Sequence, residues 1–157
     1  MPLKTGDKAP SFKLFDTDKK EVSLDDFSGK NVVMLFFPQS FTGVCTKELC
    51  STRDDIAHYN KLNAQVLAIS VDSVFTLGKF KEEQQLNFPL LSDFNKEVSR
   101  AYDSLYEDWI LGMKGVSKRS AFVIDKNGVI QYAEVLESAG DLPNFEAVKA
   151  TLNNLGN

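Results

Sequence analysis

Residues 32–45 read Val32-Val33-Met34-Leu35-Phe36-Phe37-Pro38-Gln39-Ser40-Phe41-Thr42-Gly43-Val44-Cys45. The first six are apolar without a break, the pattern of a strand buried on both faces. Pro38 ends such a strand, because it carries no N–H for the ladder. After Gly43 the chain reads as a helix to about Leu62. Cys45 therefore falls in the first turn of a helix that follows a buried strand.

Working outward, Val66-Leu67-Ala68-Ile69-Ser70-Val71 is a second buried strand, and Ser73 is an N-cap for a helix to about Leu86. Upstream, Ser11 to Phe15 and Glu21 to Leu24 alternate apolar with polar residues around Asp16-Thr17-Asp18-Lys19, which predicts a hairpin. Downstream come a short helix over Glu97 to Tyr102, a loop over Trp109 to Gly115, and a third strand, Ala121-Phe122-Val123-Ile124. Asp125-Lys126-Asn127-Gly128 is a hairpin turn in which Asn-Gly supplies the positive φ values, and Val129 to Val135 returns. A last helix starting near Asp141 and Pro143 puts Phe145, Val148, Leu152 and Leu155 on one face. This order predicts a thioredoxin-like α/β/α sandwich: three layers, a central mixed sheet and an N-terminal β-hairpin extension, in one domain over residues 1–157.

The 157 residues suffice for one core, and 43% hydrophobic with 25% charged residues is ordinary for a globular chain. A net charge of -4 without a basic block disfavours nucleic acid and anionic membranes. Met1-Pro2-Leu3-Lys4-Thr5-Gly6-Asp7 has no apolar leader, and Val32 to Phe37 is far too short to span a bilayer. The expectation is a cytoplasmic protein. Two cysteines are too few for a disulfide scaffold.

A cysteine at a helix N-terminus meets unpaired N–H groups and the positive end of the helix dipole. Both favour a thiolate, the nucleophilic form. Such a sulfur can attack one oxygen of an O–O bond and become a sulfenic acid. The leaving oxygen then needs donors and positive charge. Thr42 offers a hydroxyl, the N–H groups of Val44 and Cys45 face the same space, and Arg119 lies directly before the third strand, within reach across the sheet. Pro38 stiffens the turn and screens the sulfur. Glu48, one helical turn after Cys45, is placed to hold Arg119 by a bidentate pair.

These residues resemble the peroxiredoxins of the AhpC/TSA family. The likeness lies in Pro38-x-x-x-Thr42-x-x-Cys45, Glu48, and Arg119 before Phe122-Val123-Ile124-Asp125. Gly6-Asp7-Lys8-Ala9-Pro10-Ser11-Phe12 and Phe88-Pro89-Leu90-Leu91-Ser92-Asp93 extend it over nearly the whole chain. The resemblance implies thiol-dependent reduction of hydrogen peroxide and organic hydroperoxides, with no metal and no bound cofactor. It makes Cys45 the peroxidatic cysteine, Thr42 and Arg119 its activating partners, and Pro38 its shield. It allows a monomer or a homodimer. Larger rings are not expected, since no further cysteine follows the last helix.

Cys50 lies five residues after Cys45. On one helix the two Cα atoms sit roughly 9 Å apart and point about 140° away from each other. A disulfide tolerates at most about 7 Å, so pairing requires the first turns to unwind. Cys45-Thr46-Lys47-Glu48-Leu49-Cys50 resembles the Q type, the bacterioferritin comigratory protein-like members, whose resolving cysteine has this spacing. That implies an intramolecular disulfide reduced by thioredoxin. Phe41-Thr42-Gly43-Val44-Cys45 and Asp141-Leu142-Pro143-Asn144-Phe145 are similar instead to one-cysteine, AhpE-like members, resolved by another thiol. A third reading makes Cys50 a small apolar residue on the inner face of the helix. All three stay open on the sequence.

Other chemistry is disfavoured. A dithiol reductase would carry Cys-x-x-Cys, whereas four residues separate these cysteines. His58, the single histidine, lies more than three helical turns from Cys45, too far for a dyad, and Cys45, Cys50 and His58 make a poor zinc set. Trp109, Ile110, Leu111 and Met113 read either as core under a loop or as a hydrophobic wall or dimer patch. Asp72 and Asp125 read as turn-forming, and Arg53 as a surface residue or a second partner of Glu48. A sensor or chaperone-like role for the same cysteine stands as an additional possibility.

Overall fold

The computed structural model describes residues 3–156. Met1 and Pro2, part of the stretch read above for a leader, lie outside the described residues.

The elements run in chain order. A hairpin of β1 (Lys13–Asp16) and β2 (Glu21–Ser23) leads into β3 (Asn31–Phe36), then α1 (Gly43–Asp54), α2 (Ile56–Lys61), β4 (Ala64–Ser70) and α3 (Val74–Gln84). Next are β5 (Leu90–Ser92), α4 (Glu97–Ala101), β6 (Leu105–Tyr106) and β7 (Val116–Ser117). The chain closes with β8 (Ser120–Ile124), β9 (Ile130–Val135) and α5 (Phe145–Leu155).

Seven strands among the described residues form one mixed sheet in the order β2-β1-β5-β4-β3-β8-β9. β3, β4 and β5 are parallel, and β8 runs antiparallel to β3 with Phe36 opposite Ser120. The unbroken apolar run of β3 is explained by its position. Val33, Leu35 and Phe37 point into one core with residues of α1, α2, α3 and α5, while Val32, Met34 and Phe36 point into the other with Val98 and Tyr102. Val148 and Leu152 seat α5 on the first core, flanked by Phe145 and Leu155, as its periodicity predicts. The Ser73 hydroxyl accepts the Thr76 amide at 3.2 Å and caps α3.

Three expectations change. The helix read from Gly43 to Leu62 breaks at Asp55, whose ψ of 6° leaves the helical range. Lys149 on α5 pairs with the Asp55 carboxylate at 2.6 Å, a tertiary hold that local sequence does not show. The last helix starts at Phe145, because the Asn144 side chain, after Pro143, accepts the Ala147 amide at 3.0 Å. In the late hairpin only Gly128 takes a positive φ, 82°; Asn127 does not. There the Asp125 carboxylate accepts the Asn127 and Val129 amides at 2.9 and 3.0 Å, a four-residue turn closed by a glycine bulge. β5 and the β6–β7 pair have no counterpart in the sequence pattern, since strands of two or three residues are too short to show a period.

Candidate active site

β3 and α1 deliver Cys45. The strand stops at Phe36, Pro38 is buried, and α1 begins at Gly43. The first intrahelical bond runs from the Thr46 amide to the Thr42 carbonyl at 2.9 Å. The N–H groups of Gly43, Val44 and Cys45 therefore have no acceptor within the helix. Cys45 sits among them, 1% exposed.

β8 delivers Arg119. Because β8 pairs antiparallel with β3, the residue before it arrives beside the end of β3, where α1 starts. Arg119 is 1% exposed and spends its donors on three acceptors, two on α1 and one on the loop after β9. Nη2 donates to Cys45 Sγ at 3.2 Å, Nη1 to Glu48 Oε1 at 2.8 Å, and Nε to the Ala139 carbonyl at 3.0 Å. The bidentate Glu48–Arg119 pair expected from sequence is a single bond, since the other nitrogens are taken. Glu48 Oε2 is buried with no partner among the described residues.

The electrostatics follow from this burial. Taking the Glu48 carboxyl out of water raises it to about 7, with Arg119 holding it below a larger rise. Burial also works against the Arg119 charge, but Glu48 and Cys45 outweigh it and hold the guanidinium above its ordinary value. A fixed guanidinium at 3.2 Å stabilises negative charge on a sulfur.

Thr42 differs from expectation in one respect. Its hydroxyl donates to the Gln39 carbonyl at 2.9 Å, so its proton is committed and its oxygen is left as an acceptor. A cleft of about 670 Å³ opens on Thr42, Cys45 and Arg119, and Tyr106, Trp109 and Ile110 form its apolar side. Tyr106 and Trp109 are stacked with ring centres 6.0 Å apart. The Trp109–Met113 stretch is thus rim rather than core: Leu111 is 91% exposed. The wall formed by Tyr106 and the hold on Arg119 by the Ala139 carbonyl had no sequence signal, the latter being a backbone group on a loop.

Cys50 is half-buried, with Sγ 3.4 Å from Gln84 Oε1 and both thiols free. Arg53 does not meet Glu48; it donates to the Gln84 carbonyl and pairs with Asp54. Cys45, Cys50 and His58 do not converge: among the described residues no cluster of three or more His, Cys, Asp or Glu side chains is placed to hold a metal ion. No helix among them is long and apolar enough to cross a membrane.

A sequence model of the AhpC/TSA family matches residues 5–133. The chain belongs to the AhpC/TSA family, the peroxiredoxins. Peroxiredoxin Bcp of Escherichia coli K12 is 38% identical over 133 residues, covering 83% of this chain and 85% of its own. The chloroplastic 2-Cys peroxiredoxin BAS1 of Arabidopsis thaliana is 39% identical over 146 residues, but the match spans only 53% of that protein. Among solved peroxiredoxin-like structures, peroxidoxin BcpB of Mycobacterium tuberculosis superposes with a TM-score of 0.87 at 30% identity over 99% of both chains. Peroxiredoxin Q of Xanthomonas campestris gives 0.80 at 28% identity over 91% of this chain and 90% of its own. As a peroxiredoxin, the chain is an oxidoreductase of the thiol peroxidase class.

Proposed function

We propose that Cys45 is the peroxidatic cysteine and that Cys50 resolves it. The observation that carries the reading is the Arg119 guanidinium, buried and donating to the Cys45 sulfur at 3.2 Å. The Cys45 thiolate attacks one peroxide oxygen. The O–O bond breaks, sulfur takes OH and becomes a sulfenic acid, and the other oxygen leaves with the electron pair and gains a proton as alcohol or water. Arg119 and the free N–H groups at the start of α1 face the charge that develops. Thr42 Oγ1, its own proton given to Gln39, accepts the O–H of the incoming peroxide. Pro38 keeps water from the sulfur, and Glu48 fixes Arg119.

Resolution follows when the Cys50 thiolate attacks Cys45 sulfur, releasing hydroxide and forming a disulfide. α1 is continuous from Gly43 to Asp54, so its first turns unwind for this step. Thioredoxin, or another dithiol, then restores both thiols in the cytoplasm. The one-cysteine reading has its own support: Cys50 packs against Gln84 rather than toward Cys45.

Intact-mass measurement after one equivalent of hydrogen peroxide separates the two. The expected result is loss of two hydrogens in wild type, gain of one oxygen in Cys50→Ser, and no change in Cys45→Ser. An added oxygen that persists in wild type supports the one-cysteine route, and an oxidised Cys45→Ser sinks the assignment of Cys45.

A further inference from the structure

The loop that presents Cys45 is anchored from outside its own sequence. Phe41, in the middle of it, has φ of 67°, a left-handed backbone that residues with a Cβ keep only under constraint. The constraint comes from the neighbouring strand. Asp72, just beyond β4, accepts the Ser40 amide on Oδ2 at 2.7 Å, and the same oxygen accepts the Ser70 hydroxyl at 3.1 Å. The Asp72 backbone is tied as well: its amide donates to Ser70 Oγ at 3.1 Å and its carbonyl accepts the Ser92 hydroxyl at 2.6 Å. Ser40 is buried, and its own hydroxyl has no partner among the described residues. Its amide hydrogen bond to Asp72 is therefore the polar hold on Ser40, and next to it Gln39 Nε2 donates to Met113 Sδ at 3.2 Å, a weaker tie to a thioether. Phe41 adds an apolar one, its ring edge-on to Phe80 at 5.2 Å.

We infer that Asp72 is a positioning residue that latches residues 38–42 in the shape seating Cys45 against Arg119, and that this latch opens when Cys45 leaves α1 to meet Cys50. The inference rests on the reading of Cys45 and Cys50 given above. α1 begins directly after this loop, so unwinding its first turn pivots on the segment that Asp72 grips. A carboxylate-to-amide hydrogen bond shifts such an equilibrium by about tenfold or more. Releasing it moves two rates in opposite directions. The reaction of Cys45 with peroxide slows, because the seated geometry is less populated. Disulfide closure quickens, because less structure must be broken. The sulfenic acid has two fates: attack by Cys50, which forms the S–S bond and releases hydroxide, or attack of its own sulfur on a second peroxide, which gives a sulfinate and one molecule of water or alcohol. The latch sets the division between them.

The test is rapid mixing of Asp72→Ala, Asp72→Asn and wild type with hydrogen peroxide, quenched for intact mass. Asp72→Ala should oxidise about tenfold more slowly, close its disulfide faster, and yield less sulfinate at high peroxide. Asp72→Asn, whose amide oxygen still accepts the Ser40 amide, should lie between. In a Cys50→Ser background the slower first step should persist. A merely structural role lowers both rates together, and that outcome, like two unchanged rates, overturns the proposal. Hydrogen exchange on the unsubstituted protein gives an independent reading: the Ser40 amide should be protected when reduced and exchange freely in the disulfide form. Equal protection in both states contradicts the latch. If wild type forms no sulfenic acid on Cys45 at all, the reading of the site has failed rather than the latch alone.

Discussion

Arg119 Nη1 donates to Glu48 Oε1 at 2.8 Å, and the second carboxylate oxygen of Glu48 lies buried beside it without a partner among the described residues. A carboxyl so enclosed is held near the point of ionising at neutral pH. It shares its cation with the sulfur of Cys45, so the charge of one is felt by the other through Arg119.

Stability should carry the mark of this carboxyl. Burial raises Glu48 from its ordinary 4.5 to about 7, so the fold favours the protonated form. The stabilising contribution is complete below about pH 4.5 and is lost as pH rises through about 7. Relative to Glu48→Gln, wild type should lose on the order of 3 kcal/mol of unfolding free energy over that interval. Urea titrations of both proteins from pH 4.5 to pH 8 measure it; a constant difference across the range contradicts it.

Arg119 serves three acceptors at fixed geometry, which the single ammonium of lysine cannot reproduce. Arg119→Lys should lower kcat/KM for peroxide by roughly 10²–10³-fold. Arg119→Met should also cost about 3–5 kcal/mol of stability above the pH at which Glu48 ionises, where a buried charge is left alone. Less than a threefold loss of rate in Arg119→Lys speaks against its proposed role.

If peroxide enters by this cleft as proposed, its apolar side bears on substrate choice. Trp109→Ala should raise KM for a bulky hydroperoxide such as cumene hydroperoxide by roughly tenfold. KM for hydrogen peroxide, too small to reach the wall, should stay within twofold. Parallel changes for the two substrates would mean that Trp109 shapes the loop rather than the substrate site.

Leu152 on α5 is fully buried against the sheet and does not line the cleft at Cys45. Leu152→Ala should cost roughly 2–5 kcal/mol in denaturant unfolding while leaving the peroxide rate of the folded protein unchanged. A loss under 1 kcal/mol would show that α5 packs less tightly than its burial indicates.

Much of this was legible from residues 32–45. An unbroken apolar run, a proline and a following helix put Cys45 at a helix N-terminus without any tertiary information. Arg119 was legible because it precedes a strand whose neighbour in the sheet could be inferred. What stayed hidden was tertiary. The break at Asp55 has no glycine or proline to announce it, and its partner Lys149 is 94 residues away. The Ala139 carbonyl carries no side-chain signature. Asp72 reads as a residue ending a strand, and its carboxylate does hold a turn, but the turn is the one carrying Cys45.

The single tryptophan, Trp109, lines the same cleft as Cys45, so its fluorescence should follow the sulfur. The most direct measurement is stopped-flow fluorescence on mixing reduced protein with increasing hydrogen peroxide. A signal whose rate rises linearly with peroxide in wild type and in Cys50→Ser, and which vanishes in Cys45→Ser, is the predicted result. The same signal at the wild-type rate in Cys45→Ser would contradict the assignment of Cys45 as the attacking sulfur.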